Sequence, residues 1–161
     1  MALPRDIRRL AFQALFQIDA RGGEDPSLAE SLGDTEGLTP ADLRKAADLA
    51  RAAWGARAAA DAEMNALAPT WPAGRQAAVD RSILRLAHFE MASGRAHPKI
   101  VVNEAVELAK AFGSDRSPAF VNGLLDKVLK RVLAERPAGP APADAPPADS
   151  APAEPAPGVD A

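Results

Sequence analysis

Cysteine is absent, so no disulfide and no thiolate zinc site can form, and the chain suits a reducing compartment. No apolar run approaches the ~20 residues that cross a bilayer, and the N-terminus carries no signal-peptide hydrophobic segment. These absences set the expectation of a cytoplasmic protein. β-branched residues are few and no apolar–polar alternation runs between the Gly and Pro breaks, which argues against strands. Without strands there is no Gly-rich phosphate loop of the strand–loop–helix kind. The only histidines, His88 and His97, have no ligand-spaced acid cluster, so neither a metal nor a cofactor is expected. Asn103, Glu104 and Glu107 read as a solvated helix face rather than acid–base machinery. Trp54 and Trp71 read as core or helix-end packing rather than a ligand box. No enzyme is expected.

What the chain does have is helix. Ala dominates, and Gly and Pro fall at regular breaks, so the fold class is all-α. A first helix has Pro4 in its opening turn and runs to about Ala20, with Gly22-Gly23 ending it. A short helix is expected around Ser27 to Leu32. Thr39-Pro40-Ala41-Asp42 combines an N-cap, a Pro at the first helical position and an acid at N3. It starts a long Ala-rich helix that stops before Pro69. A further helix from about Arg75 to Met91 carries Val79, Ile83, Leu86 and Ala87 on one face, and Ser93-Gly94 closes it. His97-Pro98 opens a helix whose apolar face, with Val101, Ala105, Leu108 and Phe112, is broad enough to meet more than one neighbour. Ser117-Pro118 opens the last helix, with Val121, Leu124, Leu125, Val128 and Val132 inward and Gly123 read as a point of close helix–helix approach.

The tail differs in kind. Residues 137–161 hold eight of the fifteen prolines, four of the 22 acids, and no Lys, Arg or aromatic. Such a stretch cannot offset its ordering entropy by apolar burial, so two regions are expected: a helical domain over 1–136 and a disordered tail over 137–161. With 19 bases against 18 acids, the domain is near +1. Net charge alone therefore does not announce a nucleic-acid binder, and the placement of charges must decide.

Two places could bind a polyanion. On the first helix, Ile7, Leu10, Ala11, Ala14, Leu15 and Ile18 form a core stripe, and Arg5, Arg8, Arg9, Phe12, Gln13 and Phe16 follow the same spacing opposite it. Guanidinium groups neutralise phosphates and rings stack bases, so this face suits single-stranded nucleic acid. Spacing equally allows a second helical layer to bury Phe12 and Phe16 beneath a solvated basic face, and it leaves the point undecided. The second place is the turn Gly113-Ser114-Asp115-Arg116-Ser117, where a new helix N-terminus and Arg116 could receive an anion. There, Ser117 capping its own helix beside a solvated Asp115 is the alternative.

Four segments, in order, resemble the NusB family of bacterial transcription antitermination factors. They are Arg9-Leu10-Ala11-Phe12-Gln13-Ala14-Leu15-Phe16, Asp80-Arg81-Ser82-Ile83-Leu84-Arg85-Leu86-Ala87, Pro98-Lys99-Ile100-Val101-Val102-Asn103-Glu104-Ala105, and the pair Glu107-Leu108-Ala109-Lys110 with Phe120-Val121-Asn122-Gly123. The resemblance implies two small helical subdomains, about six to seven helices sharing a compact core. It implies binding of boxA RNA together with NusE, a small-subunit ribosomal protein, in the RNA polymerase antitermination complex on ribosomal RNA operons. Carried over by position, the RNA surface comprises Arg5, Arg8, Arg9, Gln13, Phe16, Phe112, Asp115 and Arg116, and Asp80 lies on the NusE-facing side. The chain departs from the family in placing Asp6 among the arginines, Phe16 where a Tyr is usual, and Ala119 where some relatives carry Lys. Two alternatives follow from the same resemblance: a homodimer that masks the RNA face, and a module acting beside a ribosomal RNA methyltransferase.

Overall fold

The computed structural model describes residues 5–23 and 37–135, so the expected Ser27–Leu32 helix and the tail lie outside the described residues. Those residues form six α-helices: α1 (Arg5–Ala20), α2 (Pro40–Gly55), α3 (Arg57–Leu67), α4 (Ala78–Ser93), α5 (Pro98–Phe112) and α6 (Ser117–Glu135). A single 3-10 turn, Ala73–Arg75, joins α3 to α4, and no strand occurs among the described residues. The expectation of an all-helical chain holds. None of these helices is long and apolar enough to cross a membrane.

Local chemistry sets the helix ends. α1 closes on Gly22 and Gly23, both at positive φ, with the Gly23 N–H donating to Ile18 O at 2.9 Å. α2 opens on a capping box. The Asp42 N–H donates to Thr39 Oγ1 at 3.2 Å, and the Thr39 N–H donates back to Asp42 Oδ2 at 3.0 Å. At α5, His97 Nδ1 accepts the Lys99 N–H and Pro98 follows as the first helical residue.

Two expectations are corrected. The long helix expected after Thr39 is broken at Gly55–Ala56 into α2 and α3. Gly55 is the weak point of that helix, and Arg57 braces the break by donating to Trp54 O at 2.9 Å while lying 4.0 Å from the Trp54 ring centroid. Gly123 is not a close-approach site: it is exposed, and a Cβ there would meet nothing within 4 Å.

Helix α4 organises the rest, because it packs against each of the other five helices. Sequence spacing gave it one apolar face, yet burial runs almost round its circumference and takes in Arg85, His88 and Glu90. A helix surrounded this way must pair its charges internally. Glu90 meets Arg8 of α1, Arg85 bridges Asp19 of α1 and Asp61 of α3, and His88 faces Glu63 of α3. Around these lies one continuous apolar core drawn from all six helices, including Leu10, Leu15, Leu49, Met64, Ile83, Val101 and Leu125.

His88 yields a pH prediction. Burial pushes its pKa down from 6.5, Glu63 pulls it up, and nearby Arg131 pushes it down again; the net shift is downward. The unfolded chain therefore binds more protons than the folded one just below pH 6.5, and stability rises with pH through that window. On acidification below neutrality the urea midpoint should fall, and His88→Gln should flatten that slope. An equal slope in the variant would exclude His88 as the cause.

Candidate nucleic-acid interface

The first-helix stripe divides in two. Arg8 is 3% exposed and Phe12 2%, whereas Arg5 is exposed and Arg9, Gln13 and Phe16 are half-buried at the surface. Arg8 therefore cannot serve as the phosphate contact expected of it. Because α1 lies between α2 and α4, its buried arc extends past the apolar stripe to position 8. There the Arg8 Nε donates to both Glu90 oxygens, at 3.0 and 3.1 Å. Within that pair, burial pushes the Glu90 carboxyl up more than Arg8 pulls it down. The residues left at the surface, Arg5, Arg9, Gln13 and Phe16, still run along one side of α1 at helical spacing.

α5 adjoins that side through side chains. At one end Arg5 makes two hydrogen bonds to Glu104, of 3.0 and 3.1 Å. Two turns on, Phe12 stacks at a tilt against Phe112, with ring centroids 5.1 Å apart. Phe12 is thus the buried floor beneath Phe112, which remains 37% exposed. Phe112 also ends α5, which carries this surface directly into the turn at Gly113.

The turn is built on a close approach. A Cβ at Gly113 would lie 2.5 Å from Ser117 Cβ and Oγ and 2.7 Å from Ala109 O, so only glycine fits. Ser117 is buried as the first residue of α6. Its hydroxyl accepts the Ser114 N–H at 2.9 Å, and its own N–H donates to Ser114 O at 3.0 Å. Ser117 therefore closes the turn, where capping of its own helix was the alternative. Asp115 and Arg116 are left outside it, both exposed. Arg116 has no acid within ion-pair distance among the described residues.

Beyond the turn opens a cleft of about 540 Å³ lined by Trp71, Ala77, Asp80, Ser114, Arg116 and Phe120. It brings Asp80, near the start of α4, together with Arg116, two residues that the sequence assigned to different partners. Asp80 Oδ1 is buried with no hydrogen-bond donor in reach among the described residues. Trp71 is 50% exposed on the cleft wall, not packed as expected, whereas Trp54 does pack on the core. Trp71 and Phe120 are the site residues that spacing missed. The available signal was that Thr70-Trp71-Pro72 stands outside any apolar period. The two histidines have structural partners, His88 in the interior and His97 at the α5 cap.

Comparison with known proteins points one way. A model of the NusB family matches residues 5–130. Transcription antitermination protein NusB of Anaeromyxobacter dehalogenans is 43% identical over 122 residues, which cover 75% of this chain and 86% of that protein. The NusB of a Roseiflexus species is 36% identical over 138 residues, 84% of this chain and 97% of that one. Among solved structures, T. maritima NusB superposes with a TM-score of 0.68 at 31% identity, over 81% of this chain and 93% of that chain. A chain from the crystal structure of antitermination factors NusB and NusE in complex with dsRNA gives 0.67 at 25% identity, over 79% of this chain and 96% of that chain.

Proposed function

The chain belongs to the NusB family, and from that premise we propose that it is a transcription antitermination factor that acts by binding, without catalysis. It engages single-stranded boxA-type RNA jointly with the ribosomal protein NusE, within the RNA polymerase antitermination complex on ribosomal RNA operons, in the cytoplasm. A structural relative seen with NusE and RNA supports the pairing of partners.

The observation that carries the RNA role is the solvent-facing series Arg5, Arg9, Gln13 and Phe16 on α1, adjoined by Phe112 and then Arg116. Cations at its two ends can hold phosphates while the rings between offer base stacking, each stack contributing about 1–3 kcal/mol. Asp115, exposed in the same turn, can accept from a base but repels phosphate. The protein partner takes the neighbouring cleft. Trp71 and Phe120 give apolar contact there, and the unmatched Asp80 oxygen awaits a donor from NusE. Arg116 stands on the rim common to both partners, so each partner should strengthen binding of the other.

Fluorescence anisotropy with a labelled boxA-type RNA tests this reading. Three phosphate-facing cations, Arg5, Arg9 and Arg116, predict weak binding by the chain alone, with log K falling against log salt at a slope of about −2. NusE should tighten RNA binding by at least tenfold. Arg116→Ala should make the slope shallower by about 0.7, and Asp80→Asn should weaken NusE binding while sparing RNA binding by the chain alone. RNA affinity indifferent to NusE would refute the joint mechanism.

A further inference from the structure

The cations of the proposed RNA face are largely neutralised from within. Arg9 lies 3.5 Å from Asp6 and Lys110 3.1 Å from Glu107, both within single helices. Arg5 is held across helices by Glu104, and Glu107 stands close enough to reinforce its charge.

One of these contacts is unlike the others. Arg5–Glu104 alone among them joins α1 to α5, and it alone is two-pronged, with a guanidinium nitrogen on each carboxylate oxygen. Its members are also unequally held. The Arg5 side chain is 70% exposed to solvent, whereas Glu104 on α5 is only 17% exposed. A carboxylate offers the guanidinium the same fork of two oxygens that a phosphate does. We propose that Glu104 is a built-in phosphate mimic that occupies Arg5 in the free protein, so that RNA gains Arg5 only by displacing it. This rests on the RNA-binding reading above.

The mechanism follows from exchange. When Arg5 turns to a phosphate, Glu104 is left unpaired beside an incoming polyanion, which opposes binding. When Arg5 stays, the RNA loses one of its three cationic contacts. Either way Glu104 weakens binding, and RNA with few phosphates in reach loses most. A purely architectural ion pair tying α1 to α5 would have no such effect on RNA.

The test measures anisotropy of a short single-stranded boxA-type RNA at low salt with the full chain, Glu104→Gln, Arg5→Gln and the double variant. The pair is exposed and its hold modest, so Glu104→Gln should bind RNA more tightly by up to about fivefold, less so as salt rises. Arg5→Gln should bind more weakly, and removing Glu104 in that background should gain less than it gains in the wild type, because only the repulsion of Glu104 for RNA is then lifted and there is no Arg5 to release. Glu104→Asp, which keeps the charge but shortens the reach, should also tighten binding; it serves if Glu104→Gln melts early. Unchanged or weaker binding by both Glu104 variants would overturn the inference, as would a gain that persists undiminished in the Arg5→Gln background. A wild-type chain that binds no RNA, with or without NusE, instead refutes the functional reading itself.

Discussion

Glu90→Ala should destabilise the fold by about 3–5 kcal/mol, the usual cost of removing one member of a buried ion pair. Glu90 is 1% exposed and Arg8 3%, so the guanidinium would lose its buried carboxylate in a poorly solvated interior. The loss should appear as a lower urea midpoint with an unchanged m-value. Removing both charges is a different matter. Arg8→Met with Glu90→Met fills the same space with apolar atoms, and such replacements are often neutral or stabilising. The double variant should therefore recover most of the loss. Because Arg8 contributes nothing to the surface, it should also bind RNA as the wild type does. A single variant within about 1 kcal/mol of wild type would show that the pair is solvated. Weakened RNA binding by the well-folded double variant would restore Arg8 to the interface.

Why Arg8 was misread shows what spacing can carry. The apolar stripe of α1 was legible, as were the Thr39 cap, the Gly22-Gly23 stop and the inward faces of α5 and α6, since each depends on residues within a few turns of one another. Arg8 sits at the margin of its stripe, and what draws it inward is Glu90, 82 positions away. A helix with two packed neighbours buries a wider arc than its apolar residues declare. The same reason hid the charged interior of α4, where Arg85 and His88 answer acids on α3 and Glu90 answers Arg8 on α1. Phe12 was left open between stacking surface and core, and its contact with Phe112 places it in the core. Gly123 failed differently: an unbroken apolar period around a glycine need not signal a neighbour, and here solvent lies beside it. Trp71 and Phe120 joined the cleft only through the fold, because no periodicity relates a linker tryptophan to the first turns of the last helix.

The ionic seam at Asp19 carries the second large effect. Asp19 Oδ2 accepts from Arg81 at 2.7 and 3.2 Å, while its other oxygen accepts from Arg85 at 3.2 Å. Arg85 in turn holds Asp61 of α3 at 2.7 and 2.9 Å. Asp19 thus ties the end of α1 to two successive turns of α4, and Asp61 ties α3 to the same arginine. The two aspartates are not equivalent. Without Asp61, Arg85 keeps Asp19. Without Asp19, Arg81 retains among the described residues only the carbonyls of Ala73 and Gln76, and Arg85 keeps Asp61 and its place over the Trp54 ring. Asp19→Ala should therefore cost about 2–4 kcal/mol and Asp61→Ala about half as much, the larger loss lowering Tm by roughly 10 °C for a domain of this size. Thermal and urea unfolding of the two variants check the order. Partial burial does not soften it, since the side chains of Asp19 and Arg85 are 12% and 9% exposed and the pair is little screened. Equal losses would mean that Arg81 finds sufficient partners in the two carbonyls, and that α1 is held on α4 by apolar packing and the Arg8–Glu90 pair alone.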